Sequence, residues 1–145
     1  MKNIKLKLSE IYQLHTEING LRNTQTNEFI TEGLLKKSLL LKTKFWMTDL
    51  SNKISPDVTQ IDSIREGLIM KYGEIIQSGY SLPLKIEQDG QIIINPKYIM
   101  FENDFNSFLM EEKEISYNPF KIDEFKGIEL NHGENLNVFY KLIEV

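Results

Sequence analysis

An α+β fold is what this sequence predicts, and three observations predict it. Residues 29–50 place apolar side chains at helical spacing along two neighbouring lines, Ile30, Leu34, Leu41 and Phe45 beside Leu35, Leu39, Trp46 and Leu50. Ile61, Ile64, Leu68, Tyr72, Ile75 and Ile76 form a second helical stripe. Residues 82–94 then alternate in period two around Asp89-Gly90, the tight-turn pair of a β-hairpin. The expected architecture is an antiparallel three-helix bundle with residues 29–50 as its long central helix. A small antiparallel sheet built on the hairpin lies beside it, and a C-terminal helix closes the chain.

Each element has a local cause. Ile4, Leu6 and Leu8 alternate with Lys5 and Lys7, which predicts a short half-buried strand. Ser9 is placed to cap a helix through Ile11, Leu14 and Ile18, and Gly20 to end it. The short LRNTQT turn predicts that this helix and the long one pack antiparallel, with Thr24 or Thr26 as cap. Ser55-Pro56-Asp57 reads as the start of a third helix, cap then first-turn proline then acid, with Gly79 as its end. Asn95-Pro96 stops the hairpin. A short helix follows around Phe105, Phe108 and Leu109, capped by Asn103 or Asp104, and Ile115 and Tyr117 open another strand. Leu136, Phe139, Tyr140 and Ile143 suit the closing helix.

A length of 145 residues predicts one domain, with residues 1–79 mainly helical and 80–145 holding hairpin, short helix and docking segment. The 41% apolar and 26% charged content is that of a globular chain and argues against disorder. Without cysteine there is no disulfide and no thiolate metal site, which fits a reducing compartment. No apolar run of signal-peptide or membrane-span length occurs, so neither secretion nor membrane insertion is expected. The net charge of −4 is uneven: residues 1–53 hold nine Lys/Arg against five Asp/Glu, and residues 54–145 hold eight against sixteen. Such polarity fits either packing of unlike surfaces or a basic face for an acidic partner.

Signatures of catalysis are missing. There is no GxxxxGK[ST], GxGxxG, HExxH or GxSxG, and no cysteine nucleophile. His15 and His132 are far apart and read as structural and turn residues, not ligands. Glu111, Glu112 and Glu114, with Asp104, Asp123 and Glu124, lack calcium-loop spacing and read as a solvated surface. No metal, cofactor or catalytic residue is therefore expected, and the chain is expected not to be an enzyme. Lys36, Lys37, Lys42 and Lys44 form a candidate basic face, but two arginines in a net-negative chain argue against nucleic-acid recognition. Tyr98, Phe101, Phe105, Tyr117 and Phe120, in an aromatic-rich stretch that also holds Phe108, form a candidate protein-partner interface.

The order of segments KNIKLKLSEIYQL, LLKKSLLLKTKFWM, IREGLIMKYGE, DGQIIIN, DFNSFLMEEKEISYNPFKIDEF and GIELNHGENLNVFYKLIEV resembles a family of small uncharacterised proteins of tailed bacteriophages. The resemblance spans nearly the whole chain and carries no catalytic signature. It implies a viral interaction protein in the virion or the host cytoplasm, either a structural or assembly component or a regulator that binds and inhibits a host protein. Its partners would be virion proteins, a host factor or further copies of the chain.

Overall fold

The structure, a computed structural model, describes residues 1–130 and 136–145. It mixes helix and strand, with three α-helices and small, mostly antiparallel sheets. In chain order come β1 (Lys2–Lys7), α1 (Leu8–Asn19), β2 (Leu21–Arg22), β3 (Phe29–Thr31), a 3-10 turn (Leu34–Lys36) and α2 (Leu41–Tyr72). Two hairpins follow, β4 (Glu74–Ile76) with β5 (Gly79–Ser81) and β6 (Lys85–Gln88) with β7 (Gln91–Ile94), then α3 (Pro96–Leu109). β8 (Glu112–Tyr117), β9 (Phe120–Lys121), 3-10 turns at Ile122–Phe125 and Phe139–Leu142, and β10 (Ile143–Glu144) complete the described chain. Contacts group these elements into two compact units, Met1–Val58 with Glu112–Val145, and Thr59–Glu111.

In the first unit β1 pairs antiparallel with β8. The period-two pattern sends Leu6 and Ile115 into the core, while on the other face Lys5 stands opposite Glu114 and Lys7 opposite Glu112. Directly opposed unlike charges contribute roughly 0.2–1 kcal/mol per pair. The basic start of the chain is thus set against part of its acidic second half. α1 begins at Leu8, because Glu10 reaches back to accept a 3.0 Å hydrogen bond from the Lys7 N–H. It ends at Gly20, whose N–H donates to the Thr16 carbonyl at 2.7 Å. Ile11, Leu14 and Ile18 of α1 share one buried cluster with Met47, Leu50 and Ile54 of α2 and with Phe120, Phe139 and Leu142. Trp46 is only partly buried at the edge of that cluster.

The helix expected over residues 29–50 does not form as one element. Phe29–Thr31 is a strand paired with Leu21–Arg22, and Gly33 adopts φ +83°, outside the helical region. A Cβ on Gly33 would lie 2.3 Å from the Gly20 nitrogen, so the two backbones meet where no side chain fits. Helix starts only at Leu41, and it then runs through Pro56 to Tyr72. The expected break at Ser55-Pro56 fails because the buried positions Met47, Leu50, Ile54 and Ile61 keep helical phase across it. Pro56 is exposed and so is Asn52, whose carbonyl loses its helical donor to the proline; water can serve it there. The Ser55 hydroxyl does not cap a helix start but donates to the Ser51 carbonyl at 2.8 Å.

In the second unit Asp89 (φ +52°) and Gly90 (φ +77°) make the two-residue turn that joins β6 to β7, as the sequence predicts. α3 starts earlier than expected: the Asn95 side chain accepts from the Lys97 N–H at 3.1 Å and Pro96 occupies the first position. Asn95 is itself buried, its amide donating to the Pro83 carbonyl at 2.9 Å. Gly79 is no helix cap; it lies in the β4–β5 hairpin at φ +128°. The expected closing helix is a four-residue 3-10 turn, because the residues after it join a ladder, Ile143 opposite Phe120 in a parallel pair.

Candidate interaction surface

The five aromatics that the sequence groups are divided between the units. Tyr98, Phe101 and Phe105 follow one side of α3 at helical spacing, with ring centroids 5.7 Å apart for the first pair and 5.8 Å, stacked, for the second. Phe101 is buried, which leaves Tyr98 and Phe105 half-exposed. Tyr117 and Phe120 lie instead in the core of the other unit, where Phe120 meets Phe139 at 5.0 Å and Phe125 at 6.2 Å. Their apolar area is spent inside the chain and offers no surface to a partner.

The four lysines do not share one helix face. Lys36 belongs to the 3-10 turn and sits 5.3 Å from the centre of the Phe29 ring, whose face Arg22 also approaches at 4.2 Å. Lys37 pairs with Glu32 at 3.7 Å. Lys42 and Lys44 occupy the first turns of α2, and two positions apart they point about 200° away from each other. They enter a helix whose first turn has no acidic residue.

The surface that the sequence reading misses is on the hairpins. Ile75 and Ile76 were expected to continue a buried helical stripe, but the helix ends at Tyr72 and they form β4, with Ile75 80% exposed. On β7, Ile92 (77% exposed) and Ile94 lie on one face at period two and are both exposed. The signal was present as two β-branched residues followed by a Ser-Gly turn and Tyr80, a hairpin pattern. Between these ribbons and the start of α3 an open cleft of about 350 Å³ is lined by Tyr72, Ser81, Ile86, Asn95 and Lys97 among others. The Tyr72 hydroxyl donates to the Asp104 carboxylate at 2.5 Å and ties the end of α2 to α3.

Several of the titratable groups singled out in the sequence are engaged structurally. His15 Nε2 lies 3.1 Å from Ser55 Oγ, and Asn19 donates to Ser51 Oγ at 2.9 Å, a polar seam between α1 and α2. His132 lies outside the described residues. Glu112 and Glu114 face the lysines of β1, and Lys113 reaches Asp57 at 2.6 Å. Among the described residues no three His, Asp or Glu side chains converge as metal ligands, and no helix is long and apolar enough to cross a membrane. No protein-family model matches the chain, and no curated protein and no solved structure matches it.

Proposed function

We propose that this chain is a non-enzymatic interaction protein of the kind tailed phages encode, a structural or assembly component of a virion that works in the particle or in the host cytoplasm. The observation that carries the reading is a set of exposed isoleucines in the second unit: Ile92 and Ile94 on one face of β7, and Ile75 and Ile76 on the separate β4–β5 ribbon. Ile92 and Ile94 project from the same face of β7, and apolar side chains gathered on one exposed face mark a contact site more often than scattered ones do. Tyr98 and Phe105 belong to the same unit and extend the choice of anchors. The antiparallel three-helix arrangement stays part of this proposal, with the tie from Tyr72 to Asp104 supporting a return of α3 along the end of α2.

The test is an affinity pull-down of the tagged protein from cells expressing the genome that encodes it, together with a copy-number measurement on purified particles. Fixed stoichiometry in particles, with shell, portal or tail proteins retained, is the expected result. Absence from particles and retention of one host protein in near-equal amount would replace this reading with that of a host-directed inhibitor.

A further inference from the structure

Two exposed apolar patches of unlike charge, one on each unit, are left unused by the fold. The first is at the start of α2, where Leu41 is 86% exposed and Phe45, one turn on, 64%. Lys42 and Lys44 flank it on either side along α2, and residues 32–49 hold four lysines against two acids, Glu32, which pairs with Lys37, and Asp49, which pairs with Lys53. The second is on the hairpins, where Ile92 and Ile94 share one exposed face of β7 and Ile75 is exposed on β4. Its unit, Thr59–Glu111, has four Lys/Arg against eight Asp/Glu, a net of −4, whereas the rest of the chain has thirteen against thirteen. All of the net negative charge therefore belongs to the unit that exposes the ribbons.

From this complementarity we infer that the chain binds a second copy of itself, the basic apolar start of α2 in one copy seated on the acidic apolar hairpins of the other. The inference rests on the interaction-protein reading and deepens it by naming the partner. Apolar contact supplies the affinity, and the opposed charges supply the register and reject the wrong pairing. Placing either patch on its own copy would set lysine against lysine or carboxylate against carboxylate. The contact therefore joins unlike patches, whether two copies exchange it reciprocally across a two-fold axis or each copy passes it to the next in a ring or a filament.

Light scattering on the full chain after size-exclusion chromatography tests this. At about 50 mM NaCl the mass should rise with concentration up to about 200 µM, and at about 500 mM NaCl the apparent dissociation constant should rise at least about tenfold. Two double variants at exposed positions, Leu41→Glu/Phe45→Glu and Ile75→Lys/Ile92→Lys, should melt like the parent and each be monomeric. Mixed in equal amounts they should form a complex of two chains and nothing larger, because each retains the half that the other has lost. A monomeric parent at low salt, assembly that survives in either variant, or a mixture that stays monomeric overturns the inference. A monomer found in fixed copies in purified particles would leave the functional reading standing without it; an assembling chain absent from particles would do the reverse.

Discussion

Glu17, on α1, accepts a 2.8 Å hydrogen bond from the backbone N–H of Phe139, 122 residues later in the chain. The same carboxylate takes the Val138 N–H at 3.2 Å, and the glutamate is only 6% exposed. Those two donors open the 3-10 turn Phe139–Leu142, so a side chain on the first helix does for the last turn what a local cap would do. With Phe139 and Leu142 buried in the core, the contact fastens the C-terminal segment to the unit built on β1 and α1.

Glu17→Ala should therefore cost about 2–4 kcal/mol, since it leaves two buried donors without a charged acceptor. Glu17→Gln retains one carbonyl oxygen and should lose about half as much. Denaturant unfolding measures the loss, and amide exchange at Val138 and Phe139 should accelerate more than exchange in β1. Equal acceleration in both places would mean that the carboxylate does not hold this segment in particular.

Pro56 makes the opposite prediction. Inside a 32-residue helix it removes one hydrogen bond and crowds the carbonyl four residues before it, a cost of about 3 kcal/mol in a helix interior. Part of that is offset because proline also restricts the unfolded chain. Pro56→Ala should raise stability by about 1–2 kcal/mol, read as a higher melting temperature. A variant that melts at or below the parent would show that the helix is interrupted at this point.

How much of this was legible in the sequence depended on the range of the cause. β1, α1 and the β6–β7 hairpin are fixed by neighbours within a few residues: Lys-apolar alternation, Gly20, Asp89-Gly90. The segment from Phe29 to Leu40 was misread because its conformation is set by Gly20 meeting Gly33 and by pairing with β2, which no helical periodicity records. Pro56 was misread because burial of Met47, Leu50 and Ile54 outweighs a local stop signal. For the candidate surface, composition could count aromatics but could not tell Phe120, a core residue, from Tyr98, which stays half-exposed. The exposed isoleucines were hidden by the same ambiguity, since Ile75 and Ile76 fit a helical stripe as well as a ribbon.

The ion pair of Glu10 with Lys141, 2.5 Å apart, joins α1 to the C-terminal turn a second time and gives a pH signature. The hydrogen bond from Lys141 holds the Glu10 carboxyl below its ordinary value, and the same bond raises Lys141 above its own. A lowered carboxyl contributes stability that is present above the unfolded-state value and is lost as pH falls through the folded one. The raised lysine contributes stability that is full below its unfolded-state value and is lost as pH rises through its folded one. The stability difference between the parent and Lys141→Met should thus be level from about pH 6 to about pH 9, and shrink below about 4.3 and above about 10.4. A difference that is unchanged at the acid end would assign the effect of the variant to packing.

Lys42 links stability to assembly. A helix start carries partial positive charge, and α2 begins with Leu41, Lys42 and Thr43 and has no acid in its first turn. Lys42→Glu should stabilise the monomer by about 0.3–1 kcal/mol through the helix dipole, seen as a higher melting temperature at low salt. The same change puts a carboxylate into the patch that faces the acidic hairpins of the next copy, so self-association should weaken while the fold grows firmer. Lys42→Gln should fall between the two in both measurements. If instead Lys42→Glu melts higher and associates as strongly as the parent, the lysine has no part in the contact and the basic charge at this helix start is left without a function.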